Sequence, residues 1–444
     1  MPDRTGRRRR LLGACLLAFG LCACSAAVPA ARPSPVRAGA TGLSAPSPQP
    51  GATGASAPSG VPGPISPSSP TATAIPAGSV AGWSQAAIEL PPSVTDMVAG
   101  QQANVHCSPC HAAQADLLFG VGRSGEGFVA LGAQEPPSAA VAWRSSDGRS
   151  WSPIPGLPET PGSIAMAVAS LGARTVIVGG DATGATSWAS TDLTTWRTAL
   201  DAADRAGASG SARMTALTTW RGEFVAGGYQ DDPAHNRWVA AIWISPDGLD
   251  WRRVSAGPAF ENGRIFGIAA RGDTLVAVGT TANLYGAPAV VWATHDGAHW
   301  SRVASSSFQH GAMRAVVAGG PGFVAVGFGA DDDRAAVWTS ADGLSWQAVP
   351  DQPALENAGR PIRMAAVAAD GGGVVAVGWI SDPANGSGAA WRSPDGTTWT
   401  RDPDQVTLAG GELAGIAVGP LGLIGVGTSG YPDNDQASVW LSRP

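Results

Sequence analysis

The sequence predicts an all-β protein, a seven-bladed β-propeller, from three observations. Pairs of tryptophans eight residues apart recur, a glycine ends a short apolar strand in each repeat, and no helical period is found. Leading tryptophans recur about every 50 residues, a period typical of propellers or solenoids. The pairs are Trp143/Trp151, Trp188/Trp196, Trp243/Trp251, Trp292/Trp300, Trp338/Trp346 and Trp391/Trp399, and Trp440 is a seventh leading tryptophan.

Each tryptophan pair encloses a predicted hairpin. In the sixth repeat the enclosed residues include Ser393-Pro394-Asp395-Gly396, which suit a type I turn closed by a left-handed glycine. The flanking residues then form two strands that carry one tryptophan each. In the second repeat Leu193 replaces the glycine. Because a left-handed leucine costs about 1–2 kcal/mol, we expect that turn to be reshaped.

Two more strands precede each hairpin. The first is rich in small residues, as in Ile265–Ala270, and the second ends in glycine. Four strands per repeat and seven second strands predict seven blades. The second strands are Phe128–Gly132, Val176–Gly180, Phe224–Gly228, Leu275–Gly279, Phe323–Gly327, Val374–Gly378 and Leu423–Gly427.

The last blade is completed from the N-terminal side. After Trp440 too few residues remain for an outer strand. Upstream, Trp83-Ser84-Gln85-Ala86 matches Trp300-Ser301-Arg302-Val303, the start of an outer strand. We therefore predict that residues 82–90 close the ring and leave no unpaired edge between the first and last blades.

The N-terminal residues predict export. Arg7–Arg10 form a basic segment, and residues 11–21 form an apolar one. The following Leu21-Cys22-Ala23-Cys24 resembles a bacterial lipobox, in which Cys24 is acylated and becomes the mature N-terminus. An ordinary signal peptide with a chance cysteine is the alternative. The predicted domains are a signal peptide at 1–23, a disordered Pro/Ser/Ala-rich tether at 24–81 and the propeller at 82–444. The expected location is the cell envelope, lipid-anchored at the outer face of the cytoplasmic membrane.

The charge excludes one class of partner. All 28 basic residues are arginine, and without residues 1–23 there are 23 of them against 33 acidic residues. An acidic chain without basic clusters argues against nucleic-acid binding.

Two cysteines remain after export and acylation, because Cys15 and Cys22 leave with the signal peptide. They lie in His106-Cys107-Ser108-Pro109-Cys110-His111, which formally matches a c-type haem attachment motif. In an oxidising compartment we predict a Cys107–Cys110 disulfide and no cofactor. Haem, a metal and a redox-active pair are the alternatives.

The hairpins resemble the Asp-box, or BNR, repeats of sialidase-like propellers, over residues 82–444. The spacing differs in one respect: Asp247 and Gly248 are adjacent, whereas the usual box has one residue between them. The resemblance implies a fold, with the boxes on the side away from the usual binding face. For activity it offers analogy alone.

The candidate site lies on the face opposite the boxes. Arg213, Arg264, Arg314 and Arg363 begin the first strands of four successive blades at intervals of 51, 50 and 49, and Glu412 takes that place in the next. First strands line the channel, so these guanidinium groups should converge and could bind a carboxylate or phosphate. The resemblance adds that sialidase-like enzymes bind a substrate carboxylate with an arginine cluster. Salt bridges to acids such as Glu261 or Glu356 are the alternative.

Aromatic residues supply a second group of candidates. Trp238, Trp379 and Tyr431, with Tyr229 and Tyr285, are expected in loops between second and third strands. Exposed rings there could stack on sugars or anchor a peptide, and local packing is the alternative. The same loops are acidic but lack the ligand spacing of a calcium loop, so we predict no metal site.

These observations favour a monomeric, non-catalytic binding or scaffolding module at the cell envelope, with a glycan or peptide ligand. The alternative is a sialidase-like glycoside hydrolase, which needs placed carboxylates or a tyrosine with an acid partner. Tyr431 with Asp433 or Glu412 could take that role, but no local spacing selects them.

Overall fold

The computed structural model describes residues 82–89, 115–125, 127–135, 139–158, 162–200, 212–254, 257–281, 288–330, 333–381, 386–403, 406–430 and 436–442. They form 29 strands in seven sheets, and strands that follow one another in the chain pair antiparallel within each sheet. The two N-terminal strands are the exceptions, because each is added to a sheet made of strands further along the chain. This confirms the all-β, seven-bladed propeller.

The N-terminal residues supply the strands β1 (Trp83–Gln85) and β2 (Ala87–Ile88). Blade 1 contains β3 (Ala115–Ser124), β4 (Gly127–Glu135), β5 (Ala139–Ser145) and β6 (Ser150–Pro153). Blade 2 contains β7 (Ile164–Leu171), β8 (Arg174–Asp181), β9 (Gly184–Ser190) and β10 (Arg197–Leu200). Blade 3 contains β11 (Ala212–Trp220), β12 (Glu223–Asp232), β13 (Arg237–Ser245) and β14 (Arg252–Arg253).

Blade 4 contains β15 (Arg264–Arg271), β16 (Thr274–Thr280), β17 (Ala289–Thr294) and β18 (Ser301–Val303). Blade 5 contains β19 (Gly311–Gly319), β20 (Gly322–Gly329), β21 (Ala335–Ser340) and β22 (Gln347–Ala348). Blade 6 contains β23 (Ile362–Ala369), β24 (Val374–Ile380), β25 (Ser387–Ser393) and β26 (Thr400–Arg401). Blade 7 contains β27 (Gly411–Gly419), β28 (Gly422–Ser429) and β29 (Gln436–Ser442).

Short 3₁₀ helices precede the first strands of blades 4 to 7, at Pro258–Phe260, Ser306–His310, Pro353–Leu355 and Val406–Leu408. Among the described residues, no helix has the length and apolar composition needed to cross a bilayer.

Strand β1 completes blade 7, as the Trp83 match predicts. It pairs antiparallel with β29, with Trp83 opposite Ser442 and Gln85 opposite Trp440. The Trp83 side chain is buried, and its Nε1 donates to Asp402 Oδ2 in the neighbouring blade at 3.3 Å. The prediction did not include β2, which pairs in parallel with β6 as a fifth strand of blade 1. The N-terminal segment therefore fastens both blades that meet at the closure.

The hydrophobic core is divided into seven clusters, each formed where two neighbouring blades face each other. The leading tryptophan of every blade lies in one of them and is at most 1% exposed. In blades 4 to 7 its indole also fixes the segment before the blade, as where Trp391 Nε1 donates to Ala354 O at 2.8 Å and Trp440 Nε1 to Thr407 O at 2.8 Å. Burial of an indole stabilises a fold by about 4–6 kcal/mol at most, so this position explains the leading half of the tryptophan repeat.

The turns that resemble Asp boxes, called boxes below, are held by one hydroxyl and one carboxylate. In blade 5, Gly343 N donates to Ser340 Oγ at 2.8 Å, and Asp342 Oδ1 accepts from the N–H groups of Leu344 and Ser345 at 2.8 and 2.7 Å. The second tryptophan closes the turn, because Trp346 Nε1 donates to Gly343 O at 2.9 Å. Glycine suits this position because its φ is +81°, a conformation that costs glycine little.

The box of blade 2 keeps this turn, so the expected reshaping at Leu193 is wrong. Leu193 adopts a φ of +57° and its N–H still donates to Ser190 Oγ at 2.9 Å. Asp192 Oδ1 also accepts its two backbone bonds, at 2.8 and 2.7 Å. The difference lies at Trp196, whose buried Nε1 has no hydrogen-bond partner among the described residues. The turn tolerates the leucine because the side-chain hydrogen bonds offset its backbone strain.

Candidate ligand-binding site at the channel mouth

The two rims of the propeller carry different parts of the repeat. Neighbouring strands in a blade run antiparallel, so the start of the first strand lies beside the end of the second, as in the pairing of Arg264 with Thr280. We call this the mouth rim. The boxes follow the third strands and lie at the opposite rim, which we call the box rim. The placement agrees with the expectation that boxes and candidate site are on opposite faces.

A bulge shapes the mouth rim in every blade. In blade 4, Ile265 pairs with Gly279 and Gly267 with Val278, which leaves Phe266 unpaired in the ladder. The bulge brings the two backbones close together, and a Cβ on Gly279 would lie 1.7 Å from Arg264 O. The equivalent glycines of the other blades, which include Gly179 in blade 2, would meet a first-strand carbonyl at 1.7–2.0 Å, and this explains a glycine near the end of each second strand.

The bulge defines two tiers of first-strand side chains around the channel. The upper tier is the residue two positions before the bulge: Leu117, Ile164, Arg213, Arg264, Ala312, Arg363 and Glu412. The bulge tier is the unpaired residue itself: Phe119, Met166, Thr215, Phe266, Arg314, Ala365 and Ala414.

The four arginines do not occupy one equivalent position, which corrects the inference from their spacing. Arg213, Arg264 and Arg363 belong to the upper tier, whereas Arg314 belongs to the bulge tier, two residues further along its strand. Ala312 is the true counterpart in blade 5. Equal spacing misled because segments between blades differ in length, so it does not fix register.

Arg264 lies among three aromatic rings. Its guanidinium carbon is 4.0 Å from the ring centre of Tyr229, 4.4 Å from that of Trp238 and 5.4 Å from that of Phe266. Tyr229 and Trp238 meet edge to face at 5.0 Å, which fixes both rings. Each such cation–π contact contributes about 0.5–2 kcal/mol, so the Arg264 side chain is held in one place.

The same stack continues around the ring to Arg314. This exposed side chain places its guanidinium carbon 4.3 Å from the centre of Phe266. Arg363 is held more loosely, 5.6 Å from Phe328 and 5.8 Å from Trp379. Rings and guanidinium groups therefore alternate from blade 3 to blade 5, in the order Trp238/Tyr229, Arg264, Phe266, Arg314.

The aromatic members lie in strands, not in loops as predicted. Tyr229 is in β12, Trp238 is in β13 and Trp379 is in β24. The ladder of blade 3 extends to Asp232 opposite Arg237, so strand pairing continues past both rings. Placement in a paired strand makes these rings part of a rigid wall.

Two acidic groups beside the stack, Asp232 and Glu261, are engaged with another cation. Arg237 Nε donates to Asp232 Oδ2 at 2.9 Å and Arg237 Nη1 to Glu261 Oε2 at 2.9 Å. The hydrogen bond from Arg237 holds the pKa of Asp232 below its ordinary value. Burial raises the pKa of Asp231, although the nearby positive charge of Arg264 opposes the rise. Glu261 was the alternative salt-bridge partner for the mouth arginines, and its carboxylate accepts a hydrogen bond from Arg237.

Several predicted residues are elsewhere. Tyr431, Cys24, Cys107 and Cys110 lie outside the described residues. Within the described part of the chain, no three His, Cys, Asp or Glu side chains are grouped as a metal site requires. A cavity of about 220 Å³ lies at the ring closure, lined by residues that include Gln85, Arg149 and Leu441, and none of the four mouth arginines lines it.

The sequence did not identify Phe266, Phe119 and Met166 as site residues. All three are bulge residues inside strands that read as apolar core, and each is partly exposed while the residue just before it is buried. The sequence signal that could have identified them is a large side chain two residues after the upper-tier position.

No protein-family model matches the sequence, and no curated protein matches it. Solved structures do match. The chain is similar to YCF48 bound to D1 peptide, with a TM-score of 0.51 and 14% identity over 85% of this chain and 100% of that one.

Two further neighbours are more distant. Trypanosoma rangeli sialidase in complex with sialic acid has a TM-score of 0.42 and 13% identity, over 74% of this chain and 54% of the sialidase. The β-propeller domain of the trilobed protease from Pyrococcus furiosus has a TM-score of 0.43 and 10% identity, over 73% of this chain and 93% of that domain. At such identities the likeness concerns architecture alone. What this chain shares with its neighbours is the β-propeller fold.

Proposed function

We propose that the protein is an exported, lipid-anchored and non-catalytic binding module that takes a carboxylate-bearing peptide at the mouth of its channel. The alternating stack of Trp238/Tyr229, Arg264, Phe266 and Arg314 carries this proposal. Rings cover the faces of a stacked guanidinium, whereas carboxylates bind in its plane, at the N–H edges. Stacking therefore orders the side chains for a carboxylate without occupying the directions from which it binds.

The choice of a peptide rests on two points. The neighbour with the highest similarity reported above is a propeller bound to a peptide, and this chain covers all of it. The rings beside the arginines belong to a rigid strand wall, which lowers the entropic cost of binding an extended chain. A glycan carboxylate has the same charge, so the experiment separates the two ligands.

A non-catalytic role is supported by the composition of the mouth. Glycoside hydrolysis needs two placed carboxylates, or a tyrosine beside an acid. In the part of the chain that the structure describes, the two tiers together hold a single carboxylate, that of Glu412. Tyr229 is buried against Trp238 and Arg264, where its ring supports a cation.

Export and anchoring rest on the sequence of the first 24 residues. If Cys24 is acylated, replacing it with serine should move the protein from the membrane pellet to the soluble fraction. Cys15→Ser is the matched control, because that residue leaves with the signal peptide. Equal pelleting of both variants would contradict the anchor.

Binding is tested with the full mature chain in detergent. The probe is a pool of fluorescein-labelled octapeptides with free carboxyl termini, compared by anisotropy with the same pool amidated at the C-terminus. We expect the amidated pool to bind at least tenfold more weakly. Arg314→Gln should weaken binding of the free-acid pool at least fivefold, whereas Arg252→Gln, an exposed arginine of an outermost strand, should not.

Three results would overturn the proposal. They are equal binding of the two pools, displacement of the peptides by sialyllactose at lower concentration than by unlabelled peptide, and turnover of a chromogenic glycoside panel.

A further inference from the structure

The bulge tier has two chemically different sectors. Blade 4 and blade 5 supply Phe266 and Arg314, whereas blade 1 and blade 2 supply Phe119 and Met166. All seven bulge residues lie at one depth, because each is the residue left out of the ladder at the same register shift. The tier therefore runs from a cationic sector to an apolar one.

The apolar sector reaches the channel. Leu118 is 1% exposed, whereas Phe119 beside it is partly exposed, and Met166 is partly exposed while Ala165 is fully buried. Neighbouring blades cover both faces of each sheet, so the exposed part of a first-strand side chain faces the channel. The two first strands are also in contact, since a Cβ on Gly120 would lie 2.7 Å from Met166 O.

Ring order sets the two sectors opposite each other. In a closed ring of seven blades, the blade facing any one position lies three or four places along. Blade 1 therefore faces the junction of blades 4 and 5, and blade 2 faces the junction of blades 5 and 6. Phe119 and Met166 lie across the channel from Arg314 and its stacking partner Phe266.

We propose that the mouth recognises a peptide C-terminus whose last residue is apolar, with the α-carboxylate at Arg314 and Arg264 and the last side chain against Phe119 and Met166. This inference rests on the proposed function and names its ligand class. In a C-terminal residue the carboxylate and the side chain leave the same carbon in different directions. One residue can therefore present its carboxylate to the cationic sector and its side chain to the apolar sector across the channel. The side chain gains by leaving water for an apolar wall.

A carboxylate at the mouth adds discrimination against acidic ends. Glu412, in the upper tier of blade 7, is exposed and lies next to blade 1. A last residue with a carboxylate of its own would bring that charge to the apolar sector and towards Glu412. Repulsion and desolvation both disfavour it.

The test uses the full mature chain and labelled heptapeptides of alternating Gly and Ser that differ only in the last residue. We expect a peptide ending in Leu to bind at least fivefold more tightly than one ending in Ala, and one ending in Asp to bind most weakly. Met166→Gln should remove the preference for Leu over Ala and keep the dependence on a free carboxylate. Leu344→Gln, which alters an exposed apolar residue of the box rim, should leave the preference unchanged.

The outcomes separate this inference from the proposed function. Equal binding of the Leu, Ala and Asp peptides, with binding still lost on amidation, overturns the inference and leaves the carboxylate site in place. Loss of binding to every free-acid peptide overturns both. The Leu, Ala and Asp peptides are compared on the unaltered protein, so the test does not depend on the folding of any variant.

Discussion

At the box rim the same hydrogen bonds recur in six blades, whereas at the mouth rim no two blades present the same pair of tier residues. Each box pairs a Ser or Thr hydroxyl with the backbone N–H three residues on, at 2.7–3.0 Å. The mouth changes from Leu117 and Phe119 in blade 1 to Arg264 and Phe266 in blade 4. Residues that repeat in this way fold the blades, whereas residues that differ between blades can be adapted to one ligand.

The box of blade 2 shows which element of the repeat is essential. Leu193 replaces the glycine, and the turn survives because Ser190 and Asp192 still supply its hydrogen bonds. In the other boxes the glycine has a second role, close contact with the preceding blade. The hydroxyl and carboxylate therefore define the turn, and the glycine adjusts how blades pack.

The largest expected effect tests whether the repeated pattern holds the ring. Trp83→Ala removes a buried indole from the closing strand and should lower the free energy of unfolding by about 3–5 kcal/mol. Thermal unfolding followed by circular dichroism measures the loss. Trp379→Ala, at the partly exposed mouth, is the matched control and should cost less stability. Equal losses would contradict the division between the two rims.

The next effect separates backbone strain from packing at the box rim. Gly248 has a φ of +76°, and a Cβ there would lie 2.2 Å from Val176 Cγ2 of the preceding blade. Gly248→Ala should therefore destabilise by about 2–4 kcal/mol, as strain and overpacking add. Gly222→Ala meets the same strain at φ +80° but no atom within 4 Å, and should cost about 1 kcal/mol. Urea unfolding that gives equal losses would mean that the contact is unimportant.

A smaller effect concerns pH. The N–H groups of Ser345 and Leu344 lower the pKa of Asp342 to about 2, below the 3.8 of a free carboxyl. A folded-state pKa below the unfolded value adds stability that is complete above about pH 4 and lost as the pH falls towards 2. Asp342→Asn keeps an acceptor oxygen but does not titrate. Urea midpoints between pH 5 and 2 should fall more steeply in the unaltered protein, and identical slopes would contradict the role of this carboxylate.

The smallest effect on stability is expected at the mouth. Arg314 is exposed and stacks on one ring, so Arg314→Gln should change the free energy of unfolding by no more than about 1 kcal/mol while peptide binding is lost. Thermal unfolding of the variant used for the binding experiment checks this. A loss comparable with that of Trp83→Ala would place Arg314 in the scaffold.

The sequence predicted the fold because the residues that fold one blade recur from blade to blade. Tryptophans eight residues apart, a glycine opposite the bulge and the box hydroxyl are local signals, and Trp83 was recognisable by comparison with Trp300. Strand β2 was missed because two residues in a parallel pairing carry no period. At the mouth, spacing found the arginines but not the register of Arg314, since a bulge leaves no mark in composition. Phe266 was missed because a partly exposed bulge residue looks like core.

The closing strand also sets the order in which the molecule can become complete. Ser84 and Leu441 are neighbours in blade 7, yet 357 residues separate them along the chain. During synthesis the early strand therefore has no partner until the last blade is made, and bringing the ends together costs more chain entropy than closing a local hairpin. Blades 1 to 6 pair within themselves, so they can assemble as the chain emerges. Ring closure is therefore the last pairing that the propeller can make.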